Sequence, residues 1–177
     1  MKTVNIYYIF DASVKIRGKA QYQIEENISR ISRALGFAHC KTKLHIIGYR
    51  DRAFFAKPHE RIAAYGNPNL AEGLKTLGNV LDYERKYEAS KARSVFIWNT
   101  SGTVLEGWKK ELDRLYKNRE FAFGLRYVVQ HGVADRSTKE ALYRFTETPE
   151  RILHHFSEGR LCSLVENIVG GEEDERD

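Results

Sequence analysis

The first hydrophobic run of the chain ends on an acid, and a hydroxyl follows two residues later. Asp11 and Ser13 stand in the segment "FDASVK", directly after an apolar run that begins at Val4. Many metal sites begin in this way, because hard cations prefer oxygen ligands. A second hydroxyl is often found two residues further along, and here that position holds Lys15. The pattern is typical of a metal site, of a remnant of one, or of a plain strand end.

Enzymatic chemistry finds little support among the reactive residues. Asp11 could accept a phosphoryl group, as an aspartate does in doubly wound phosphatases. Those enzymes usually need a second acid two residues later as the acid/base, and that position here is Ser13. The sequence has no GxxxxGK[ST] phosphate loop, and neither a Ser-His-Asp nor a Cys-His arrangement suggests itself. His154 and His155 are adjacent on a predicted strand, so they point to opposite faces and cannot chelate together. We therefore predict that the protein is not an enzyme.

The composition is that of one folded domain. The chain has 177 residues, of which 42% are hydrophobic and 30% charged, a range typical of globular proteins. We expect a single domain over residues 1–169 and an acidic, disordered tail over residues 170–177. The net charge is +5 and the pI is about 9.1. Because the basic residues are scattered, a mixed solvated surface is favoured over a nucleic-acid footprint.

The cysteines and the apolar segments indicate a cytoplasmic protein. Cys40 and Cys162 lie far apart and in no metal or redox spacing, so we expect reduced thiols. The opening "MKTVNIYYIF" lacks the pattern of a signal peptide. No stretch approaches the roughly 20 apolar residues that a membrane helix needs, and we expect no membrane association.

Apolar runs alternate with segments of helical periodicity along the chain. A link of three residues, "RDR", joins the second and third runs and predicts an antiparallel hairpin. The alternation elsewhere predicts an α/β fold: a doubly wound, mostly parallel six-stranded sheet with one antiparallel edge strand and helices on both faces. The predicted strands are 4–10, 43–49, 53–56, 94–98, 121–129 and 151–155; the predicted helices are 19–37, 70–87, 107–117, 138–145 and 158–169.

The candidate site lies beyond the carboxyl ends of these strands. Ligands of open α/β sheets bind there, at the point where the strand order reverses. The first and fourth strands are the natural central pair, so residues 11–15 and 99–103 should lie side by side. Residues 66–69 open a helix at the same face, and the hairpin turn at residues 50–52 lies at its edge.

Three motifs in these loops carry a resemblance. An apolar strand ends in Asp-x-Ser ("FDAS", 10–13), and a Gly-x-x-Asn-Leu-x-x-Gly-Leu segment opens a helix ("GNPNLAEGL", 66–74). Another strand ends in Thr-x-Gly ("WNTSG", 98–102), and a helix that bears a tryptophan follows it. Together they resemble the von Willebrand factor type A (VWA) domain, over nearly the whole of residues 4–169. The resemblance is greatest to stand-alone bacterial members, such as those in tellurium-resistance and stress clusters.

The resemblance implies a domain that binds partner proteins, often through Mg²⁺ at a metal-ion-dependent adhesion site. In the family that site uses Asp-x-Ser-x-Ser, a threonine of the second loop and an aspartate of the third. Asp11 and Ser13 match the first two positions, and Lys15 replaces the second hydroxyl. The threonine falls on Pro68 and the second acid on Ser101. Only two of the five ligands are therefore retained, and Asp11 and Ser13 are read as a remnant metal site.

The electrostatics of this remnant disfavour a cation. A divalent ion that faces one carboxylate gains much less Coulomb energy than one that faces two. Lys15 adds repulsion, and we hypothesise that its ammonium lies beside Asp11 as a built-in positive charge. We expect no cofactor, with Mg²⁺ binding weak or absent.

These observations predict a protein-interaction module that binds a partner protein through the carboxyl-end loops, with little or no metal dependence. Two alternatives remain: an RNA- or other nucleic-acid-associated VWA-like protein, and an adhesion-type binder that depends on Mg²⁺. The predicted partner-binding residues are Asp11, Ser13, Lys15, Arg50, Arg52, Asn67, Asn69, Thr100 and Ser101.

Overall fold

The strands form one sheet whose centre is the first strand. The computed structural model describes residues 3–87, 92–154 and 158–170. Within these ranges it has a six-stranded sheet and six α-helices, with short 3₁₀ turns at Val14–Ile16 and Pro149–Arg151. The strands are β1 (Thr3–Asp11), β2 (Lys41–Tyr49), β3 (Ala53–Phe55), β4 (Ala92–Thr100), β5 (Leu125–Gln130) and β6 (Ile152–His154). The helices are α1 (Lys19–Gly36), α2 (Leu70–Tyr87), α3 (Trp108–Tyr116), α4 (Arg119–Phe123), α5 (Arg136–Thr146) and α6 (Glu158–Gly170).

The strand order is β3-β2-β1-β4-β5-β6. β1 pairs in parallel with both β2 and β4, and β5 and β6 continue the parallel sheet. β3 runs antiparallel to β2 at the edge, because the short turn between them leaves no room for a crossover. The predicted fold class and the central pairing of the first and fourth strands are both confirmed.

Helices cover both faces of the sheet. Tyr7 and Ile9 of β1 face a core that α2, α3 and α5 complete. Tyr8 and Phe10 face the opposite core, which α1 and α6 complete. The side chains of β1 are buried on both faces, as an uninterrupted apolar run requires. The doubly wound arrangement therefore follows directly from the sequence pattern.

One predicted element is wrong. The segment at residues 121–129 was expected to be a single strand, but its first residues belong to the short helix α4, and β5 begins only at Leu125. Asn118 caps this helix by accepting a hydrogen bond from the Glu120 amide at 2.9 Å. Gly124 then packs against the ring of Phe96, where a Cβ atom would come within 2.5 Å.

Two other predictions fall partly outside the described residues. His155, the end of the predicted sixth strand, lies outside them, as do residues 171–177 of the predicted acidic tail; Gly170 is the last residue of α6. None of the described helices is long and apolar enough to cross a membrane.

A buried arginine joins β5 to the ends of two helices. Arg126 is 2% exposed and donates hydrogen bonds to the carbonyls of Phe121 and Phe145 at 2.6 and 2.9 Å. It also donates to two further carbonyls near the end of α4 and forms an ion pair with Glu147. The sequence pattern did not identify this residue, because an arginine within a strand is ordinarily solvent-exposed.

We expect Arg126→Met to lower the free energy of unfolding by about 3 kcal/mol, because it leaves buried carbonyls without donors. Chemical denaturation followed by circular dichroism measures the change. Arg30→Met is the matched control, since Arg30 is exposed and forms a surface ion pair with Glu26 within α1. A similar loss of stability in the two variants would contradict the structural role of Arg126.

Candidate functional site

The loops after the central strands meet at one end of the sheet. β1 and β4 are adjacent and parallel, so Asp11 at the end of one lies beside Ser101 after the other. Gly66 and Ala12 join the next loop to this pair: Val14 N–H donates to the Gly66 carbonyl at 3.2 Å, and Tyr65 N–H donates to the Ala12 carbonyl at 3.1 Å. We call this surface the carboxyl-end face, formed by residues 11–15, 50–52, 65–69, 99–105 and 131–135.

Asp11 is fully buried and is held by neutral donors. The Ser13 N–H donates to its Oδ1 at 2.7 Å. The Ser101 hydroxyl donates to Oδ2, and the Ser101 N–H lies 3.4 Å from the same oxygen. Burial raises the pKa of the Asp11 carboxyl, and these hydrogen bonds oppose the rise only in part.

The hydroxyls near Asp11 stabilise the loops themselves. Ser13 Oγ accepts the Lys15 N–H at 3.2 Å and so caps the following 3₁₀ turn. Thr100 Oγ1 accepts the Gly102 N–H at 3.2 Å. Ser13 and Thr100 are both fully buried, as Asp11 is. In this conformation none of the three predicted partner-binding side chains is open to a partner, whereas Ser101 is partly exposed.

Lys15 does not serve as a built-in cation for Asp11. Its side chain is exposed, and none of the ion pairs among the described residues involves it. The hypothesis from the sequence is therefore wrong, because Ser101 rather than Lys15 occupies the space beside the carboxylate. Lys15 instead contributes a solvent-facing positive charge to the carboxyl-end face.

The second loop is fixed by its backbone. Pro68 is buried, and its carbonyl accepts the Leu105 N–H at 3.3 Å. Asn67 donates from its side-chain amide to Asp51 at 2.8 Å, and its backbone N–H donates to the same carboxylate. Gly66 has a φ of +75°, and a Cβ there would clash with the Asp51 carboxylate. Asn67 therefore ties this loop to the hairpin turn, and Asn69 beside it is partly exposed.

The two arginines of the hairpin turn differ in their surroundings. Arg50 lies over the rings of Phe54 and Tyr65, with its guanidinium carbon 4.3 and 3.7 Å from their centroids. It also donates to the Ala63 carbonyl at 3.0 Å. Arg52 is exposed. The Arg52 side chain is thus open to solvent, while Arg50 holds the edge of the face together.

The carboxyl-end face does not provide a fitting site for a divalent ion. Among the five residues at the adhesion-site ligand positions, Asp11 alone has a carboxylate, and both of its oxygens already accept hydrogen bonds. Pro68 offers no side-chain ligand in the second loop. Across residues 3–87, 92–154 and 158–170, no group of three His, Cys, Asp or Glu side chains is arranged to hold a metal. The donor set therefore disagrees with the metal that the resemblance implies.

Exposed apolar side chains surround this closed polar centre, a feature that the sequence analysis did not identify. Val14, Tyr65 and Leu105 are 41%, 50% and 41% exposed, and Val133 is 94% exposed. The loop that contains Val133 packs closely against Gly102, which has a φ of +95°. A Cβ atom on Gly102 would come within 2.6 Å of the Val133 carbonyl oxygen. The loop follows β5, which lies next to β4 in the sheet. The strand order therefore indicates that this loop lies at the carboxyl-end face.

Comparison with solved structures identifies the fold. Proximal thread matrix protein 1 from the mussel byssus superposes with TM-scores of 0.65 to 0.66 at 14–15% identity. One of its structures is described as having a zinc-occupied MIDAS motif, the metal-ion-dependent adhesion site. The match covers 94–97% of this chain, which spans only 46% of that protein's length. The chain has the VWA fold.

A second similar structure is an aerotolerance-related membrane protein from Bacteroides fragilis, crystallised with multiple mutations to serine. Its TM-score is 0.62 at 12% identity, and the match covers 96% of this chain and all of the other. No family model matches the sequence, and no curated protein sequence does. At these identities the comparisons establish the VWA fold and leave the function to the site.

Asp11→Asn tests whether the buried charge lowers stability. Burial raises the Asp11 pKa above its value in the unfolded chain, so the protonated carboxyl favours the folded state. This contribution of Asp11 to the free energy of unfolding is complete below about pH 3.9 and is lost as the pH rises through the folded pKa. Asparagine retains an acceptor for the Ser13 N–H and carries no charge. We therefore expect the melting temperature of Asp11→Asn, relative to wild type, to increase as the pH rises from about 4 to 8.

Thermal unfolding at several pH values measures this difference. Ser101→Ala is the companion variant, since it retains the Asp11 charge and removes one donor. It should lower the melting temperature most at neutral pH. A difference between Asp11→Asn and wild type that is constant with pH, or that decreases as the pH rises, would contradict the account of Asp11.

Proposed function

We propose that this VWA-fold domain is a non-enzymatic protein-interaction module that binds a partner through its carboxyl-end face. The observation that carries the proposal is the group of exposed apolar side chains around a buried polar centre: Val14, Tyr65, Leu105 and Val133. Apolar contacts at the centre of an interface, with charges at its edge, are typical of protein recognition. Lys15 and Arg52, both exposed, supply positive charge beside the apolar residues and favour a partner with acidic groups.

Backbone hydrogen bonds support a preformed surface. Residues of the first loop bond to the second loop, residues of the second loop bond to the segment after β4, and Gly102 accepts the Asp135 N–H at 3.3 Å. Loops fixed in this way lose little conformational entropy when a partner binds. The face is thus suited to rigid docking through loops held by a rigid scaffold.

We propose that partner binding requires no metal. The Asp11 carboxylate, the one acid retained from the adhesion site, is satisfied by Ser13 and Ser101. A cation would have to displace these donors and would gain the Coulomb energy of one carboxylate only. A cytoplasmic location is part of the proposal, and the free thiols of Cys40 and Cys162 are compatible with it.

A pull-down from the native host tests the proposal. The bait variant Val14→Asp/Val133→Asp places two charges among the exposed apolar residues. Tyr22→Asp/Phe37→Asp is the matched control, because it makes the same charge change at two exposed aromatic positions of α1 and just after it. Proteins retained by wild type and by the control should be lost from the Val14→Asp/Val133→Asp bait, and EDTA should leave their retention unchanged.

The retained protein is then purified and its affinity measured by calorimetry. We expect the Val14→Asp/Val133→Asp bait to bind at least about tenfold more weakly than the control, because both charges must be desolvated in the interface. Equal affinity for the two variants would exclude the carboxyl-end face as the binding surface. Elution by EDTA would contradict the metal-independent mode.

A further inference from the structure

A second candidate site lies at the opposite end of the sheet. A cavity of about 1000 Å³ opens beside the amino ends of β1, β4 and β5, between the end of α2 and the short helix α4. Asn5, Arg93, Ser94 and Glu120 are among the residues that line it. We call it the amino-end cavity. Its volume lies at the upper end of the range for small-molecule sites.

The rim of the amino-end cavity is strongly basic. Arg85, Arg93, Lys117 and Arg119 all line it. Among the described residues, these four side chains make a single ion pair. It joins Arg85 to Asp82 at 3.7 Å on the exposed surface of α2. Two carboxylates, those of Glu84 and Glu120, line the same cavity, so cations outnumber anions. An excess of positive charge in a concave site favours an anionic ligand.

The inner wall is polar and rigidly held. Glu120 Oε1 accepts hydrogen bonds from the Ser94 hydroxyl at 2.5 Å and from the Tyr7 hydroxyl at 2.8 Å. Tyr7 also contacts Glu84, whose other oxygen lies 2.9 Å from His45 Nε2. Burial, together with these glutamates, raises the pKa of Tyr7, so its hydroxyl remains a donor. The two carboxylates are therefore fixed in place at the cavity wall.

One buried acceptor in this wall has no donor. Asn5 is 4% exposed and lines the cavity. Its Nδ2 lies 3.5 Å from Glu120 Oε1, while its Oδ1 is buried without a hydrogen-bond partner among the described residues. Such groups are rare in folded proteins because they cost free energy. The unpaired acceptor of Asn5 therefore lowers the stability of the cavity wall.

An aromatic ring completes the wall. Phe123 lines the cavity, and 82% of it is exposed to solvent. The guanidinium carbon of Arg119 lies 6.0 Å from the centre of its ring. An exposed aromatic ring next to an arginine is a surface on which a nucleobase can stack.

From these features together we infer that the amino-end cavity binds a nucleotide. The basic rim pairs with the phosphates, since arginine matches phosphate oxygens in geometry and charge. The ribose hydroxyls donate to the fixed carboxylate of Glu120, as acidic side chains accept ribose hydroxyls in other nucleotide sites. The base stacks on Phe123. This inference is independent of the proposed function, which concerns the other end of the sheet.

Calorimetric titration of the full chain with ADP tests this inference, at about 0.15 M salt so that long-range attraction is screened. We expect a dissociation constant below about 1 mM. Arg93→Met/Arg119→Met should bind ADP at least about tenfold more weakly, because two charge-assisted contacts are lost. Arg30→Met/Arg33→Met is the control: it removes the same charge from α1, on the opposite face of the sheet, and should bind ADP as wild type does.

Pyrophosphate and ribose 5-phosphate separate nucleotide recognition from simple anion binding. Both should bind at least about tenfold more weakly than ADP, because each lacks the base. The inference is overturned if ADP fails to bind below about 1 mM or if pyrophosphate binds as tightly as ADP. It is also overturned if the two double variants lose affinity equally. Circular dichroism confirms that each variant is folded, and Phe123→Ala, at an exposed position, gives a second test: it should weaken ADP binding and leave pyrophosphate binding unchanged.

Discussion

The parallel pairing of β1 with β4 is the constraint on which the carboxyl-end face depends. β1 is buried on both sides and ends on Asp11, and its neighbour ends one residue before Ser101. Their register brings the carboxylate and the hydroxyl together, and Asp11 is fully buried. The Asp11 carboxylate consequently accepts hydrogen bonds from Ser13 and Ser101 instead of pairing with an opposite charge, and the other loops pack around this pair.

Three of the five residues at the adhesion-site ligand positions differ from the types that the family uses, namely Lys15, Pro68 and Ser101. A metal-ion-dependent adhesion site presents a cation that can take a carboxylate from a partner, which makes recognition depend on charge. Here Ser101 satisfies the retained acid and Pro68 fixes a loop through its carbonyl. The exposed side chains of the face include the apolar Val14, Leu105 and Val133. Under the proposed function, recognition depends mainly on apolar area and shape. The chain has the VWA fold, and of the five ligand types of the adhesion site it keeps two, Asp11 and Ser13.

The sequence predicted those features that local patterns determine. The apolar run of β1 identified the central strand, α2 has the predicted bounds, and the three-residue link identified the antiparallel edge. α4 was missed because "FAFGLRYVV" is apolar enough for a strand, and only the cap at Asn118 distinguishes it. The predicted placement of the Lys15 ammonium beside Asp11 was wrong, because the hydroxyl of Ser101, 90 residues further along the chain, lies beside that carboxylate. The amino-end cavity, likewise, combines residues distant in sequence.

Calorimetric titration with Mg²⁺ and Mn²⁺ tests whether the carboxyl-end face binds a divalent ion. The wild-type chain is compared with Lys15→Ser/Pro68→Thr/Ser101→Asp, which restores the ligand types of the adhesion site. We expect the wild type to show no binding tighter than about 1 mM. The restored variant should bind at least about tenfold more tightly, since a second carboxylate faces the ion. Micromolar binding by the wild type would show that the carboxyl-end face does hold a metal.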